Sequence, residues 1–416
     1  MKHIFYFYII LAAALLQHLF PGECRGTDSI TLPEAVSRAL KKNPALAVYS
    51  AETRIADARI ISALARPNPE LETEVEDVLG SGEYDGFRSA VYNVGVSQLI
   101  ETGKKRRLRG AVAEAEQNAQ ALEYDIARRE IIAETGKRYV AVLASQNAEA
   151  NAEADYKTAS EAYAAIKEQI KGGRGTAIDS GQALLGKNEA KIARESARLE
   201  SNLARQQLSA MWAEAKPSFD SVVGNLPGPG SEVPEMGNLC ETIDSHPLVA
   251  RAEAGVSAAG SQLTLEEKKK IPDVSVGVGY RRDSAVDDNA LVMGFSLPLP
   301  LFNKNEGGIA EAKATIERNE ALVAQARIQV EMLIATARAR LVSARMEYEL
   351  ISGEMLSGAA DQYQTVSEGV SLGRIQYLEL LEARRALNAV RKQRLEALAK
   401  YHSARVDLEA ITGSKL

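Results

Sequence analysis

The chain of 416 residues repeats itself once along its length. Asn43-Pro44 and Ala47 return as His246-Pro247 and Ala250 at one constant offset, which Pro69 and Pro272 share. At nearly the same offset Val94-Gly95-Val96-Ser97 returns as Met293-Gly294-Phe295-Ser296, and Ala113-Glu114-Ala115-Glu116 as Ala310-Glu311-Ala312-Lys313. Gly173 and Ala183 return as Gly373 and Ala383. Matches kept in order over this distance mean that whatever the first half folds into, the second repeats. The reading divides the chain into residues 1–26, a targeting segment; 27–213, the first repeat; 214–240, a linker; and 241–416, the second repeat. Pro227-Gly228-Pro229-Gly230 marks the linker.

Each repeat reads as a helix, a β-hairpin, a very long helix and a returning helix. Thr31 as cap, with Pro33-Glu34 in the first turn, predicts a helix over about 31–65. Strands are predicted at 70–79 and 89–100 around a glycine-bearing loop, then a helix over 104–171 and another from the Gly172–Gly175 break to Trp212. The second repeat predicts a helix at 241–268, strands at 273–281 and 290–299, and helices at 307–371 and 375–412. The first long helix would span roughly 100 Å. In each repeat it is about as long as the two shorter helices together, so these laid end to end would line it in a bundle of even thickness.

Composition suits that bundle. Aromatics are 5% of residues against 45% hydrophobic, so the apolar content leans on alanine, which lets helices approach closely. Leu380, Ala383, Leu387, Val390, Ala397, Tyr401, Ala404, Leu408 and Ile411 alternate spacings of three and four, a coiled-coil seam interrupted only at Arg394. In the strands, Val274, Val276, Val278 and Tyr280 share one face, and Ser275, Gly277, Gly279 and Arg281 the other. Apolar-out and polar-in is what a water-filled membrane barrel needs. Four strands cannot close such a barrel, so closure demands further copies. A small soluble sheet packed on helices is the other arrangement these strands allow.

Lys2 and His3, an apolar run from Ile4 to Phe20, then Pro21-Gly22-Glu23-Cys24-Arg25-Gly26 have the layout of a secretory signal. A membrane anchor is the alternative, although the run is short for spanning. Cys24 is a candidate lipid-attachment cysteine, against which Glu23 stands where a small residue is wanted; cleavage after Cys24 or Gly26 is the other outcome. After removal only Cys240 remains, so no internal disulfide can form.

Several functions are excluded. The net charge of −6 does not suit a nucleic-acid binder. His246 and His402 show no ligand spacing with Cys240 or carboxylates, so neither metal site nor cofactor is expected. No nucleophile and base can be assembled, so the chain is not read as an enzyme. Gly173-Arg174-Gly175 lacks the preceding strand and following Lys-Ser/Thr of a phosphate loop. Lys104–Arg109 is a basic cluster that suits either a membrane-proximal position or a plain solvated helix start.

Leu32-Pro33-Glu34-Ala35 with Asn43-Pro44, the Pro69 strand entry and the paired glycine breaks resemble the TolC-like outer-membrane efflux family over roughly residues 30–413. In that family each hairpin tip reads glycine, acids six and nine positions on, then alanine; here these are Gly373, Glu379, Glu382 and Ala383. Phe295–Gly307 and Ile100–Arg106 resemble its cobalt–zinc–cadmium efflux branch. The resemblance implies a mainly α fold with membrane β: a coiled-coil helical barrel and four transmembrane strands per protomer. It implies a homotrimer closing a twelve-stranded barrel in the outer-membrane lipid, with the helices in the periplasm. The implied partners are a periplasmic adaptor and an inner-membrane RND-type proton-driven pump, and the implied cargo is divalent heavy-metal cations. A duct for drugs or secreted polypeptides, and a periplasmic coiled-coil scaffold that transports nothing, are the rival readings.

Site expectations follow. Glu379 and Glu382, three apart on one helical face, would ring the periplasmic aperture with carboxylates, a cation-favouring constriction. Asp179 is the counterpart of Glu379, and Gln182 replaces the second acid. Gly172, Gly173, Arg174, Gly175, Gly373 and Arg374 form the hairpin tips that the resemblance assigns to adaptor contact.

Overall fold

The structure, a computed structural model, describes residues 27–172, 175–230 and 233–413. The expected signal segment with Cys24, and Gly173 and Arg174 at the first tip, lie outside the described residues. The elements in order are β1 (Thr27–Ile30), α1 (Leu32–Lys42), α2 (Pro44–Leu64), β2 (Glu70–Glu76), β3 (Val91–Ile100), α3 (Lys105–Lys171), α4 (Ala177–Ser209) and β4 (Phe219–Val222). There follow α5 (Met236–Cys240), α6 (Pro247–Lys268), β5 (Val274–Asp283), β6 (Asp288–Ser296), α7 (Glu306–Leu350), α8 (Leu356–Ser371) and α9 (Tyr377–Thr412).

The elements differ from the expected ones in four places. The helix predicted over 31–65 is two, parted at Asn43, whose ψ of 123° is extended. Proline disfavours the helical region for the residue before it, so Asn43-Pro44 ends one helix and starts the next. Its repeat behaves alike: α6 begins at Pro247 and not near 241, with His246 Nδ1 accepting from the Leu248 amide at 3.1 Å. The helix predicted over 307–371 carries a π turn at Ile351–Met355. Finally, the linker 214–240 holds a strand: β4 pairs in parallel with β1, Ile30 opposite Val222.

The chain divides into two compact units. The first comprises the described parts of Met1–Ala47, Arg128–Cys240 and Leu333–Leu416. It holds the β1–β4 pair and two helical hairpins, one turning between α3 and α4, the other between α8 and α9. Thr31 closes α1 with a capping box to Glu34. Trp212, fully buried, stacks obliquely on Phe219 with centroids 6.0 Å apart. Its indole N–H donates to Glu214, which also takes Lys42 and the Ser218 hydroxyl. Burial raises the Glu214 carboxyl, but these three donors and the Lys42 charge outweigh it and hold it below its ordinary value. Asn43 reaches the same place, its amide donating to the Met211 carbonyl at 2.8 Å.

The expected seam of α9 is buried at Ala383, Leu387, Ala397, Tyr401, Ala404 and Leu408, half-buried at Leu380, Val390 and Ile411, and exposed at Arg394. The buried face of α4 is made of small residues, among them Ala183, Gly186, Ala190, Ser201 and Ala204. At Gly186 the approach is so close that a Cβ would meet the buried Leu381 side chain at 2.7 Å.

The second unit comprises Val48–Ala127 and Glu241–Met332. Its centre is an antiparallel sheet in the order β2-β3-β5-β6, so each predicted hairpin forms and the two meet through β3 and β5. The helix entries are tied to the strands. Lys105 at the start of α3 is buried and pairs with Asp273 at 2.9 Å, while Arg109 pairs with Glu101. Part of the basic cluster is therefore structural. No described helix is long and apolar enough to cross a membrane.

Candidate functional site

The sheet has two chemically different faces. Register puts Leu71, Val96, Val278 and Met293 in one cross-strand row, and Thr73, Val94, Tyr280 and Leu291 in the next. The four residues of the first row are between 47% and 78% exposed, so this apolar face has no protein covering it in the single chain. Water does not tolerate such a patch and lipid does. On the opposite face Glu70, Glu72, Glu74 and Glu76 of β2 stand beside Ser97, Gly95 and Asn93 of β3. Glu72 accepts from the Ser97 hydroxyl at 2.6 Å. A cavity of about 250 Å³ lies on this face, lined by Glu72, Glu74, Glu76, Asn93 and Arg281 among others. The backbones of β3 and β5 are flattened there by glycine: a Cβ on Gly279 would sit 3.1 Å from the Gly95 Cα. β2 and β6 are the edges of the sheet, and neither edge pairs with another described strand.

The hairpin tips carry the expected acids in unequal roles. Asp179 occupies the third position of α4 and closes a capping box, accepting from the Thr176 amide at 3.0 Å and the Thr176 hydroxyl at 2.6 Å. Glu379 occupies the same position of α9, but the cap residue is Gln376 and no side-chain cap bond forms. Glu379 is exposed, and its carboxylate has no hydrogen bond or ion pair among the described residues. Glu382 receives Arg385 at 2.8 Å, and Arg385 grips Glu189 of α4 through two bonds of 3.1 and 2.6 Å. Arg384 next to it is buried, donates to the Gly186 carbonyl at 3.0 Å and lies 3.5 Å from Asp155 of α3. The structure brings Glu382 into a charge chain with α4, keeps Glu379 outside it, and gives Asp179 a capping role.

The turn residues are explained by their backbone. Gly373 has a φ of +71°, where a side chain is strained, and its amide bonds the Val370 carbonyl at 3.0 Å. Arg374 is exposed, and its amide bonds the Gly369 carbonyl at 2.9 Å. Gly172 follows α3 as a turn residue, and a Cβ on Gly175 would meet Ile170 at 2.9 Å. Beneath the turns Ile166, Ala183 and Tyr377 form one apolar cluster shared by the two hairpins. Two groups were missed by sequence reasoning: Arg384, which sits among seam positions and reads as a surface charge, and the β2 glutamates. The latter had a signal, since Glu alternates with Leu71, Thr73 and Val75 as a strand with one wet face would.

A sequence model of the family described as outer membrane efflux protein matches residues 35–214 and again 239–414. The chain belongs to this family. As an outer membrane efflux protein it is a channel and not an enzyme, placed in the outer membrane and extending into the periplasm. It is 27% identical over 396 residues to the cobalt-zinc-cadmium resistance protein CzcC of Cupriavidus metallidurans, covering 95% of this chain and 92% of that one. It is 30% identical over 323 residues to the nickel-cobalt-cadmium resistance protein NccC of Alcaligenes xylosoxydans xylosoxydans, covering 76% and 71%. Among solved structures it resembles CusC, described through conformational changes accompanying folding and transmembrane channel formation. That likeness has a TM-score of 0.73 at 16% identity and covers 92% of each chain. The mainly helical fold with its strand hairpins is the fold of these channels.

Proposed function

We propose that this outer membrane efflux protein is one protomer of a trimeric duct through which a periplasmic adaptor and an inner-membrane RND-type pump expel divalent heavy-metal cations. The observation that carries the reading is the full-length similarity to a cobalt-zinc-cadmium resistance protein, 95% of this chain against 92% of the relative. The chemistry of the surfaces supports it. A polar sheet face bearing Glu70, Glu72, Glu74 and Glu76 suits hydrated cations, and its apolar reverse suits lipid. Glu379 and Glu382 supply carboxylates at the aperture end, with Asp179 fixing the first hairpin and the Gly172–Gly175 and Gly373–Arg374 turns offered to the adaptor. No resident metal site is required, since a duct passes its cargo without holding it.

The test is a deletion strain challenged with cobalt, zinc and cadmium salts and, separately, with a panel of hydrophobic drugs. Lowered tolerance to the metals alone, restored by the intact gene, is expected. Unchanged metal tolerance with increased drug sensitivity would replace the metal cargo by drugs.

A further inference from the structure

The four helix ends that meet the sheet lie at one level of the second unit. The Arg109 side chain of α3 donates to the Ala63 carbonyl of α2 at 3.3 Å, and the buried Lys105 donates to the Ile271 carbonyl beyond α6. Asn305, just before α7, donates to the Glu266 carbonyl of α6 at 2.9 Å. Basic side chains collect at this level: Arg66 after α2, Lys104 and Arg107 at the start of α3, Lys268 and Lys270 at the end of α6, and Lys304 before α7. All of these are exposed, and none forms an ion pair among the described residues. The nearby acids are mostly spent elsewhere, since Glu101 holds Arg109, Asp273 holds Lys105 and Glu266 holds Lys269. Glu70, Glu267 and Glu306 remain, too few to balance the cations.

The opposite end of the sheet has the other sign. The loops of residues 77–90 and 284–287 carry Asp77, Glu83, Asp85 and Asp287 against Arg88 alone. A chain of net charge −6 has therefore gathered uncompensated positive charge at one end of its sheet, the end from which the helices run into the periplasm.

The apolar face of the sheet runs into this level. Leu297, Leu299 and Leu301 keep the alternate spacing of Leu291, Met293 and Phe295, although the ladder stops at Ser296. Pro298 and Pro300 lack the N–H that a ladder needs, so the segment leaves the sheet as an arm. Leu299 and Leu301 are each 69% exposed, and the arm ends on Phe302, which is fully exposed two residues before Lys304. Water disfavours such an arm. A lipid surface takes both parts, the leucines and the ring at the acyl boundary and the lysines and arginines among the phosphates.

We propose that the helix end of the sheet binds anionic phospholipid headgroups of the periplasmic leaflet, with the cations on the phosphates and Leu299, Leu301 and Phe302 seated at the acyl boundary. A lysine or arginine beside a membrane favours an anionic surface by about fivefold. A zwitterionic bilayer would satisfy the arm and leave the cations unneutralised, so the surface selects anionic lipid. The proposal goes beyond the metal-duct reading and holds for any cargo.

The experiment places the full-length protein in phosphatidylcholine bilayers with spin-labelled phosphatidylglycerol or spin-labelled phosphatidylcholine as the probe. The motionally restricted fraction of each probe gives their relative affinity. Phosphatidylglycerol is expected to be preferred about fivefold at low salt, the preference falling towards one at about 1 M salt. Lys104→Gln, Arg107→Gln, Lys268→Gln and Lys270→Gln combined should abolish it, whereas Lys104→Arg, Lys268→Arg and Lys270→Arg combined should keep it. In Phe302→Trp, the emission added to that of the buried Trp212 should be quenched more by lipid brominated near the headgroup end of its chains than by lipid brominated near the chain ends. Equal affinity of the parent for the two probes at low salt would overturn the proposal, as would a preference that survives the four glutamine substitutions. Emission of Phe302→Trp that neither brominated lipid quenches would take the arm out of the membrane and overturn it too.

Discussion

Arg385 grips Glu189 with two hydrogen bonds, and the same guanidinium holds Glu382 on its own helix. The first contact crosses from one helical hairpin to the other, so an exposed charge chain ties α9 to α4 just inside the tips.

Arg385→Ala breaks that tie and leaves Glu382 and Glu189 unneutralised. Exposed pairs contribute about 0.2–1 kcal/mol, so thermal stability should fall only slightly. Single-channel recordings should show larger conductance and stronger cation preference, with the difference from the parent shrinking at about 1 M salt, where the Debye length is about 3 Å. Identical recordings at low salt would mean that Arg385 has no part in conduction.

Asp179 and Glu379 should respond differently to the same change. Asp179→Ala removes the returning half of the capping box, leaving Thr176 as the cap, and should cost about 0.5–1.5 kcal/mol, read as a lower melting temperature. Glu379→Ala, outside any cap bond, should change stability by less than about 0.5 kcal/mol and lower cation preference across bilayers. The reverse pattern would exchange the two roles.

Trp212→Ala should be among the most damaging single changes, costing about 3–5 kcal/mol, because the indole is fully buried and also anchors Glu214. Denaturant unfolding measures it. A loss below about 1 kcal/mol would mean that the β1–β4 region does not depend on this side chain.

His402 gives a pH dependence. Its Nε2 lies 2.9 Å from the Pro227 carbonyl, joining the linker to α9. Burial lowers its pKa below the ordinary imidazole value, against the opposing effect of the Pro227 bond, and the Arg405 charge lowers it further. The unfolded segment therefore takes up the proton first as pH falls. The stabilisation is whole above the ordinary histidine pKa and is lost as pH drops through the depressed one. Amide protection around Pro227, taken relative to intrinsic exchange at each pH, should weaken as pH falls from about 8 to about 5, and His402→Gln should flatten the change. An unchanged pH profile in the variant would assign the effect to another group.

Much of the architecture was legible because it is periodic. The α9 seam, the alternation in β5 and the helix–hairpin–helix order could be read from residue spacing, and the duplication doubled each signal. Gly373 was legible as a turn for a local reason, its positive φ. The acids near the hairpin tips were legible as residues but not as roles. Asp179 and Glu379 occupy the same helical position, and only the Thr176 or Gln376 before them decides whether a cap forms. Arg384 was illegible: its burial depends on Gly186 and Asp155, which lie far away in the chain.

By itself the sequence determined the duplication, the order of the long helices and the strand hairpins, and the two faces of β5, because helix and strand periodicities are properties of neighbouring residues. Only the tertiary structure decided that β4 pairs with β1 inside an apparent linker, that a π turn interrupts the second long helix, and that Arg385 spends its charge on Glu189. Each of these depends on groups brought together across long stretches of chain or on where a helix must turn its face, and no local spacing records such a meeting.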